Sequence, residues 1–163
     1  MSQLVALSLS IGLLGGLFTW LALGTLSVWA GFIAWACFFH CGGDTNALKQ
    51  TIVGNLFGAV LAWVAAVLIL QTGLPPGLVV GVTVFVLCMA AHVKLLSSIP
   101  ASVYGYASTF AILLIDAQRF ALAALVEVNY KGNPLLQVTA SMIVGALLGF
   151  ASSKVAGMLT KKA

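Results

Sequence analysis

Apolar residues fill long runs of this chain, and short segments rich in polar residues, glycine or proline separate the runs. The runs lack the strict alternation of barrel strands, so they are predicted to be helices, which satisfy their own backbone hydrogen bonds in lipid. The pattern therefore predicts an all-α integral membrane protein with six transmembrane pieces. These pieces cover residues 3–23, 26–41, 47–71, 75–97, 100–116 and 134–159.

The second and fifth pieces are short for a membrane crossing. At about 1.5 Å per residue, residues 26–41 and 100–116 each extend about 25 Å, whereas the hydrocarbon core is about 30 Å thick. We expect them to be either steep short helices or broken helices that partly re-enter the membrane.

The connection QRFALAALVEVNYKG, residues 117–131, mixes apolar and charged residues. Phe120, Leu122 and Leu125 alternate with charges at Arg119 and Glu127, which predicts an amphipathic helix lying at the membrane interface. An ordinary solvated loop is the alternative.

Two pairs of segments resemble each other along the chain. SVWAGFIAWA at 27–36 matches SVYGYASTFA at 102–111 in its aromatic and small positions, and LKQTIVGNLFGAVLA at 48–62 matches LLQVTASMIVGALLG at 135–149. The longer connection that holds residues 117–131 accounts for the different offsets, 75 and 87. Chance similarity between sequences rich in Leu, Ala, Gly and Val is the alternative.

A duplication would divide a single membrane domain, 1–163, into repeat one at 1–72 and repeat two at 75–160. Each repeat then contains three pieces, and an odd number of crossings inverts the second copy relative to the first. We therefore predict a 3+3 inverted repeat.

Composition supports a membrane location. Hydrophobic residues make up 62% of the chain and charged residues 6%, against about a quarter charged in soluble domains, and the mean hydropathy is +1.16. The net charge of +4 comes from scattered residues, so nucleic acid is not an expected partner. The first piece has no charged segment before it, so we expect it to be retained rather than cleaved as a signal peptide.

The basic residues predict an orientation. In the six-piece arrangement, five lysines fall on one side and only Arg119 and Lys131 fall on the other, so both termini are expected to be cytoplasmic. The five lysines are Lys49, Lys94, Lys154, Lys161 and Lys162.

Transporters with inverted repeats bind solutes near the membrane midplane, where short segments of the two repeats meet. The polar and aromatic residues of the two short pieces, together with one asparagine of the third piece, are therefore the predicted solute pathway. They are Ser27, Trp29, Trp35, Asn55, Ser102, Tyr104, Tyr106, Ser108, Thr109 and Phe110. The alternatives are an interfacial aromatic belt, hydroxyls bonded back to their own helix and, for Asn55, a cross-helix hydrogen bond, which is the more ordinary role.

Ionisable chemistry is sparse. Asp44, Asp116 and Glu127 are the acidic residues, and all fall at predicted helix ends or connections, which favours passive conduction over ion-coupled transport. We therefore predict a channel or facilitator for a small uncharged or weakly polar solute, such as urea, an amide, ammonia or a small alcohol. A non-transporting scaffold or accessory subunit is the rival. No enzymatic motif occurs, and neither catalysis nor a cofactor is expected.

Three pairs of glycines spaced four apart predict close helix packing. They are Gly54 with Gly58, Gly77 with Gly81, and Gly145 with Gly149. With so many such faces, some are expected to contact a second copy in a homo-oligomer, unless all of them are used within one chain.

Cysteine and histidine fall into two groups: Cys37, His40 and Cys41 end the second piece, and Cys88 and His92 share a face of the fourth. Thiolate and imidazole ligands at helical spacing could hold copper(I) or zinc. Buried cysteine more often serves packing, and histidine near a helix end often lies at the interface.

The chain resembles a bacterial inner-membrane family known as domain of unknown function 1097. The resemblance rests on LGGLFTW at 14–20, VWAGFIAWACFF at 28–39 and SSIPASVYGYASTFA at 97–111, and it extends over nearly the whole chain. It implies a small multi-pass inner-membrane protein and carries over no activity or binding residues.

Overall fold

The computed structural model describes residues 1–160, which are mostly helical and contain no strand. Lys161 and Lys162, two of the lysines used for the predicted orientation, lie outside the described residues. Within residues 1–160 the helices are α1 (Gln3–Ala22), α2 (Val28–His40), α3 (Thr45–Thr72), α4 (Pro76–Met89), α5 (Ile99–Ile115), α6 (Leu122–Leu125) and α7 (Pro134–Leu159).

Local chemistry sets the ends of the long helices. The Asp44 side chain accepts a hydrogen bond from the Ala47 backbone N–H and caps the start of α3, and Gly73 ends that helix with a left-handed φ of 67°. The Asn133 side chain caps α7, whose first residue is Pro134. These signals explain why the predicted boundaries of both helices lie within two residues of the observed ones.

The described residues include three helices, α1, α3 and α7, that are long and apolar enough to cross a membrane. The shorter apolar helices are α2, α4 and α5. Both α2 and α5 are unbroken, so the alternative of broken short helices is wrong, and short continuous helices are observed.

The fourth piece, predicted at 75–97, is shorter than expected. Helix α4 ends at Met89, after which Ala90–His92 and Lys94–Leu96 form two 3₁₀ turns. Val93 lies between them in an extended conformation, with φ −82° and ψ 124°, which interrupts the helical backbone. The prediction of a long helix here is therefore wrong, and α4 at 14 residues is shorter than α5 at 17.

The prediction of an amphipathic helix over 117–131 is also wrong. Only Leu122–Leu125 is helical, and Ala121 before it is extended. The Asp116 and Asn129 side chains hydrogen-bond to backbone N–H groups two residues ahead, which favours turns over helix. Leu125 is 1% exposed, so this connection is anchored in the protein core.

Helices α2, α3, α5 and α7 form the core of the bundle. The most extensive contacts join α3 to α5 and α2 to α7, while α1 lies outside against α7 and α4 lies outside against α3. Successive contacts advance in the same direction along α3 and α5, and also along α2 and α7, so each of these pairs is parallel.

Glycines allow the backbones of each pair to approach. A Cβ atom on Gly58 of α3 would overlap the carbonyl oxygen of Ser102 in α5, and a Cβ atom on Gly145 of α7 would overlap the carbonyl oxygen of Gly31 in α2. A Cβ atom on Gly54 would lie 2.6 Å from the Cβ atom of Ala101.

Of the remaining predicted glycines, one lies in the interior of the bundle and two lie on an open helix face. Gly149 contacts Phe38 of α2 and belongs to the interior. At Gly77 and Gly81, an added Cβ atom would have no described neighbour within 4 Å, so their face of α4 is open.

Candidate functional site

The two short helices meet at the end of the bundle where α3 begins. His40, the last residue of α2, lies with its Nδ1 atom 3.1 Å from the Tyr104 hydroxyl of α5. The neighbouring Cys41 sulfur lies 3.4 Å from the Ser98 hydroxyl. We call these four residues, His40, Cys41, Ser98 and Tyr104, the mouth. The mouth is a contact between the two predicted repeats, and it consists of an imidazole, a thiol and two hydroxyl groups.

Below the mouth, several polar side chains are buried without a hydrogen-bond partner among the described residues. They are Thr51 and Asn55 on α3, and Ser102 and Ser108 on α5. These residues are between 0 and 2% exposed. We call these four residues the polar track. Buried polar atoms of this kind usually pair with an ordered water or a ligand, because each costs about 1–3 kcal/mol when unpaired.

The helix contacts bring the two halves of the polar track together. Thr51 and Asn55 are four residues apart and share one face of α3. The Asn55 carbonyl oxygen lies against Gly105, which stands three residues from both Ser102 and Ser108 on α5. The track therefore follows the α3–α5 contact.

Cys37 connects the mouth to the track. Its side chain is fully buried, and its sulfur neighbours the side chains of Cys41 and Thr51. From Thr51 the track continues to Asn55, which is ten residues into α3 and so about 15 Å along that helix. Polar groups thus extend from one end of the bundle toward its middle.

An apolar cluster closes the other end of the track. Its side chains come from α2, α3, α5, α6 and α7 and include Ala66, Ile112, Leu113 and Leu125. The Trp63 indole N–H donates to the Leu125 carbonyl oxygen at 2.9 Å and fixes α6 over the cluster. Polar side chains therefore continue toward one end of the bundle only, the end that carries the mouth.

Several predicted pathway residues instead join helices. The Ser27 backbone N–H donates to the Ser141 hydroxyl at 2.9 Å, and the Trp35 indole donates to the Ser152 hydroxyl at 3.1 Å. These bonds hold α2 on α7. Neither residue lies on the polar track.

Other predicted pathway residues pack in apolar clusters or bond within their helix, and a second cluster, around Ala62, Ala65 and Leu87, contains Tyr106 and Phe110. Tyr106 bonds to Thr83 of α4 at 2.8 Å and contacts Phe110. The Thr109 hydroxyl bonds back to the Gly105 carbonyl oxygen. Trp29 and Tyr104 both pack against the apolar cluster that closes the track.

Thr51 and Ser98 belong to the site although the sequence prediction omits them. Thr51 stands four residues before Asn55, a spacing that places both on one helix face, so the sequence does carry this signal. Ser98 precedes the first residue of α5 and carries no signal of its own. Its role depends on the contact with Cys41 across the bundle.

The predicted metal ligands are spread apart. Cys37 is buried, His40 is exposed and bonded to Tyr104, and Cys88 and His92 are exposed on the outer helix α4 and its following turn. Within residues 1–160, no three His, Cys, Asp or Glu side chains converge on a point that could hold a metal ion. Metal binding stays a prediction without a converged ligand set.

Cavities at the periphery of the described structure include five with volumes of about 210 to 650 Å³. One of about 650 Å³ lies between α1 and α2 and is lined by residues that include Gly12, Gly16 and Phe32. None of the five is lined by a residue of the polar track. These cavities therefore give no access to the track.

Comparison with known proteins identifies relatives of the chain. Residues 8–157 match the family described as "Protein of unknown function (DUF1097)". Inner membrane protein YcdZ of Escherichia coli K12 is 34% identical over 120 residues, which cover 68% of this chain and 71% of the relative. Inner membrane protein YcdZ of Salmonella typhimurium LT2 is 33% identical over 120 residues, covering 68% and 72%. No solved structure matches.

Proposed function

The chain belongs to the DUF1097 family of bacterial membrane proteins, and from this premise we propose that it is a passive channel or facilitator for a small uncharged or weakly polar solute. The observation that carries the proposal is the polar track. Five of its side-chain N and O atoms have no hydrogen-bond partner among the described residues, although they are buried inside a bundle of apolar helices. Water or a polar solute would supply the missing hydrogen bonds. The proposal assigns no catalytic chemistry to the protein.

The contacts between helices support an inverted repeat of six crossings. If α1, α2 and α3 correspond to α4, α5 and α7, exchanging the two sets converts the α3–α5 contact into the α7–α2 contact and the α1–α7 contact into the α4–α3 contact. Gly58 and Gly145, which are 87 residues apart, make equivalent close approaches. We therefore place the solute pathway at the interface of two repeats, as in other transport proteins of this kind.

Charge supports a passive mechanism. The three acidic residues, Asp44, Asp116 and Glu127, are exposed and lie outside the spanning helices. An ion-coupled carrier commonly places an ionisable group inside the membrane, where such a group is costly. Hydroxyl and carboxamide groups, as on the polar track, are sufficient for an uncharged solute.

The closed end of the track requires an opening step. We infer that the apolar cluster around Leu113 and Leu125 acts as a hydrophobic constriction, which excludes water until the channel opens. We propose that solute enters through the mouth and that the cluster separates for solute to cross.

The lysines favour a multi-pass arrangement in the bacterial inner membrane with the mouth on the cytoplasmic side. Lys49, Lys94 and Lys154 lie near the end of the bundle that carries the mouth, while Arg119 and Lys131 lie in the connection at the other end. Basic residues concentrate on the cytoplasmic side of such proteins. Both termini then lie in the cytoplasm.

We propose further that the protein forms a homo-oligomer through the open face of α4. Gly77 and Gly81 are spaced for close helix contact but touch no other described residue of the chain.

Native mass spectrometry of the protein in nanodiscs should give multiples of 16.9 kDa, and Gly81→Leu should shift the population toward monomer. A wild-type protein that is only monomeric would contradict oligomerisation. A stoichiometric partner co-purified from native membranes would favour the scaffold alternative instead.

Osmotic flux into proteoliposomes tests the proposed function. Vesicles that contain the protein should equilibrate urea, acetamide or ethylene glycol faster than empty vesicles in stopped-flow light scattering. Thr51→Val, which removes one hydroxyl from the track, should lower the flux about fivefold, the equivalent of one hydrogen bond. Thr139→Val is the matched control, because the Thr139 hydroxyl bonds only within α7. Protein vesicles that equilibrate every solute no faster than empty vesicles would refute the proposal.

A further inference from the structure

We propose, on the basis of the proposed function, that Asn55 selects the solute and that the selected class is small primary amides, including urea. Asn55 is 2% exposed, and both the oxygen and the nitrogen of its carboxamide lack a hydrogen-bond partner in the described structure. The other members of the polar track contribute only hydroxyl groups.

The chemistry of the carboxamide defines its complement. A carboxamide presents an acceptor oxygen and an N–H donor side by side. A primary amide or urea presents the same two groups in the opposite order, so two parallel N–H···O bonds can satisfy Oδ1 and Nδ2 together. The hydroxyls of an alcohol or a glycol can also donate to Oδ1 and accept from Nδ2, but they do not hold a donor and an acceptor coplanar at the spacing of the carboxamide atoms, so the two hydrogen bonds are bent and weaker. Sites built for paired hydrogen bonding reject analogues that leave a buried group unpaired.

The residue at the equivalent position of the other repeat shows whether helix packing requires a polar side chain at Asn55. The residue that corresponds to Asn55 at the offset of 87 is Met142, which is 1% exposed in the apolar core. Thr51 likewise corresponds to Val138, which is fully buried. An apolar side chain therefore fills the equivalent place between helices, and packing does not account for the carboxamide.

A cross-helix bond does not account for it either. Polar residues that join helices in this protein have visible partners, as the bond between Trp35 and Ser152 shows. The side chain of Asn55 makes no such bond with any described residue. The neighbouring groups on α5, Ser102 and Ser108, are also unpartnered and can hydrate or hold the remainder of a bound amide.

Variants of Asn55 test the assignment in proteoliposomes. Wild-type protein should conduct acetamide and urea about fivefold faster than ethylene glycol, after subtraction of the flux through empty vesicles, since the poorer geometry at Asn55 costs the glycol about the value of one hydrogen bond. In Asn55→Leu and Asn55→Met the ratio of amide flux to glycol flux should fall toward one. Ser141→Ala, which removes the hydroxyl that accepts from the Ser27 N–H, should keep the wild-type ratio.

Thermal unfolding in detergent shows whether the variants fold. Because the carboxamide has no partner, Asn55→Leu and Asn55→Met should unfold at or above the wild-type temperature, whereas a structural asparagine would make them less stable. A wild-type ratio near one, or an unchanged amide preference in both folded variants, would overturn the role of Asn55 while leaving the channel itself intact. Absence of flux for every solute would overturn both proposals.

Discussion

Gly145→Ala is expected to prevent formation of the native bundle, although it adds only one methyl group. The new Cβ would overlap the carbonyl oxygen of Gly31, so α2 and α7 would have to separate. A backbone oxygen cannot rotate away as a flexible side chain can, and overpacking of this kind costs about 3 kcal/mol or more. Unfolding in detergent, followed by far-UV circular dichroism and by size exclusion, measures the loss.

Two further glycine variants control this prediction. Gly58→Ala, at the equivalent position, should be as damaging because its Cβ would overlap the Ser102 carbonyl oxygen. Gly12→Ala should be harmless, because no atom lies within 4 Å of that Cβ, and alanine favours helix over glycine by about 1 kcal/mol. Equal stability of Gly145→Ala and Gly12→Ala would show that α2 and α7 do not pack as described.

The sensitivity of these glycines follows from packing in lipid. Acyl chains are as apolar as leucine, so burying an apolar side chain between helices gains little, and close van der Waals contact becomes the main attraction. Gly31, Gly58, Gly105 and Gly145 all lie where one helix backbone meets another. The fold of the four core helices therefore depends on the absence of side chains at a few positions.

The sequence pattern predicts the long helices well because strong local signals mark their ends. The last helix is predicted at 134–159 and occurs at Pro134–Leu159, where an asparagine cap and a proline define its start. The end of α4 could not be predicted, because residues 90–96 contain no glycine or proline and are mostly apolar, and the interruption at Val93 is a backbone conformation that composition does not reveal.

The connection at 117–131 shows a second limit. Leu125 is buried and Phe120 packs against the core, but turns rather than a helix place them there, and Val126 and Val128 are exposed. Apolar periodicity reports which residues seek burial. Apolar periodicity does not show whether a short segment folds as a helix or as turns. In this connection, turn-forming side chains at both ends favour turns.

The sequence predicts the candidate site in part. Asn55, Ser102 and Ser108 can be identified from the sequence and lie along one helix contact. The hydrogen bonds that assign Ser27, Trp35 and Tyr106 to helix packing involve partners 114, 117 and 23 residues away, which no local pattern reveals. For the same reason, the glycine pairs give no sign that Gly77 and Gly81 are the open ones.

We expect water to reach the polar track, and cysteines placed on the track should therefore react with a water-soluble thiol reagent. In a background where Cys37, Cys41 and Cys88 are replaced, Ser102→Cys and Thr51→Cys place a thiol on the track. If the track is a solute pathway, water enters it during opening, and a thiolate forms there that a charged methanethiosulfonate reagent can modify. A dry packing interface would keep both thiols protonated and unreachable.

The matched control uses a site that is equally buried in the other repeat. Ala146→Cys, on α7, is fully buried and lies outside both the track and the apolar cluster that closes it. A membrane-impermeant reagent should be added separately to each side of sealed, oriented vesicles. The central claim, a solute pathway between the repeats with its mouth in the cytoplasm, predicts that Ser102→Cys and Thr51→Cys are modified from the cytoplasmic side while Ala146→Cys stays intact. Modification of neither track position from either side, as for Ala146→Cys, would contradict it.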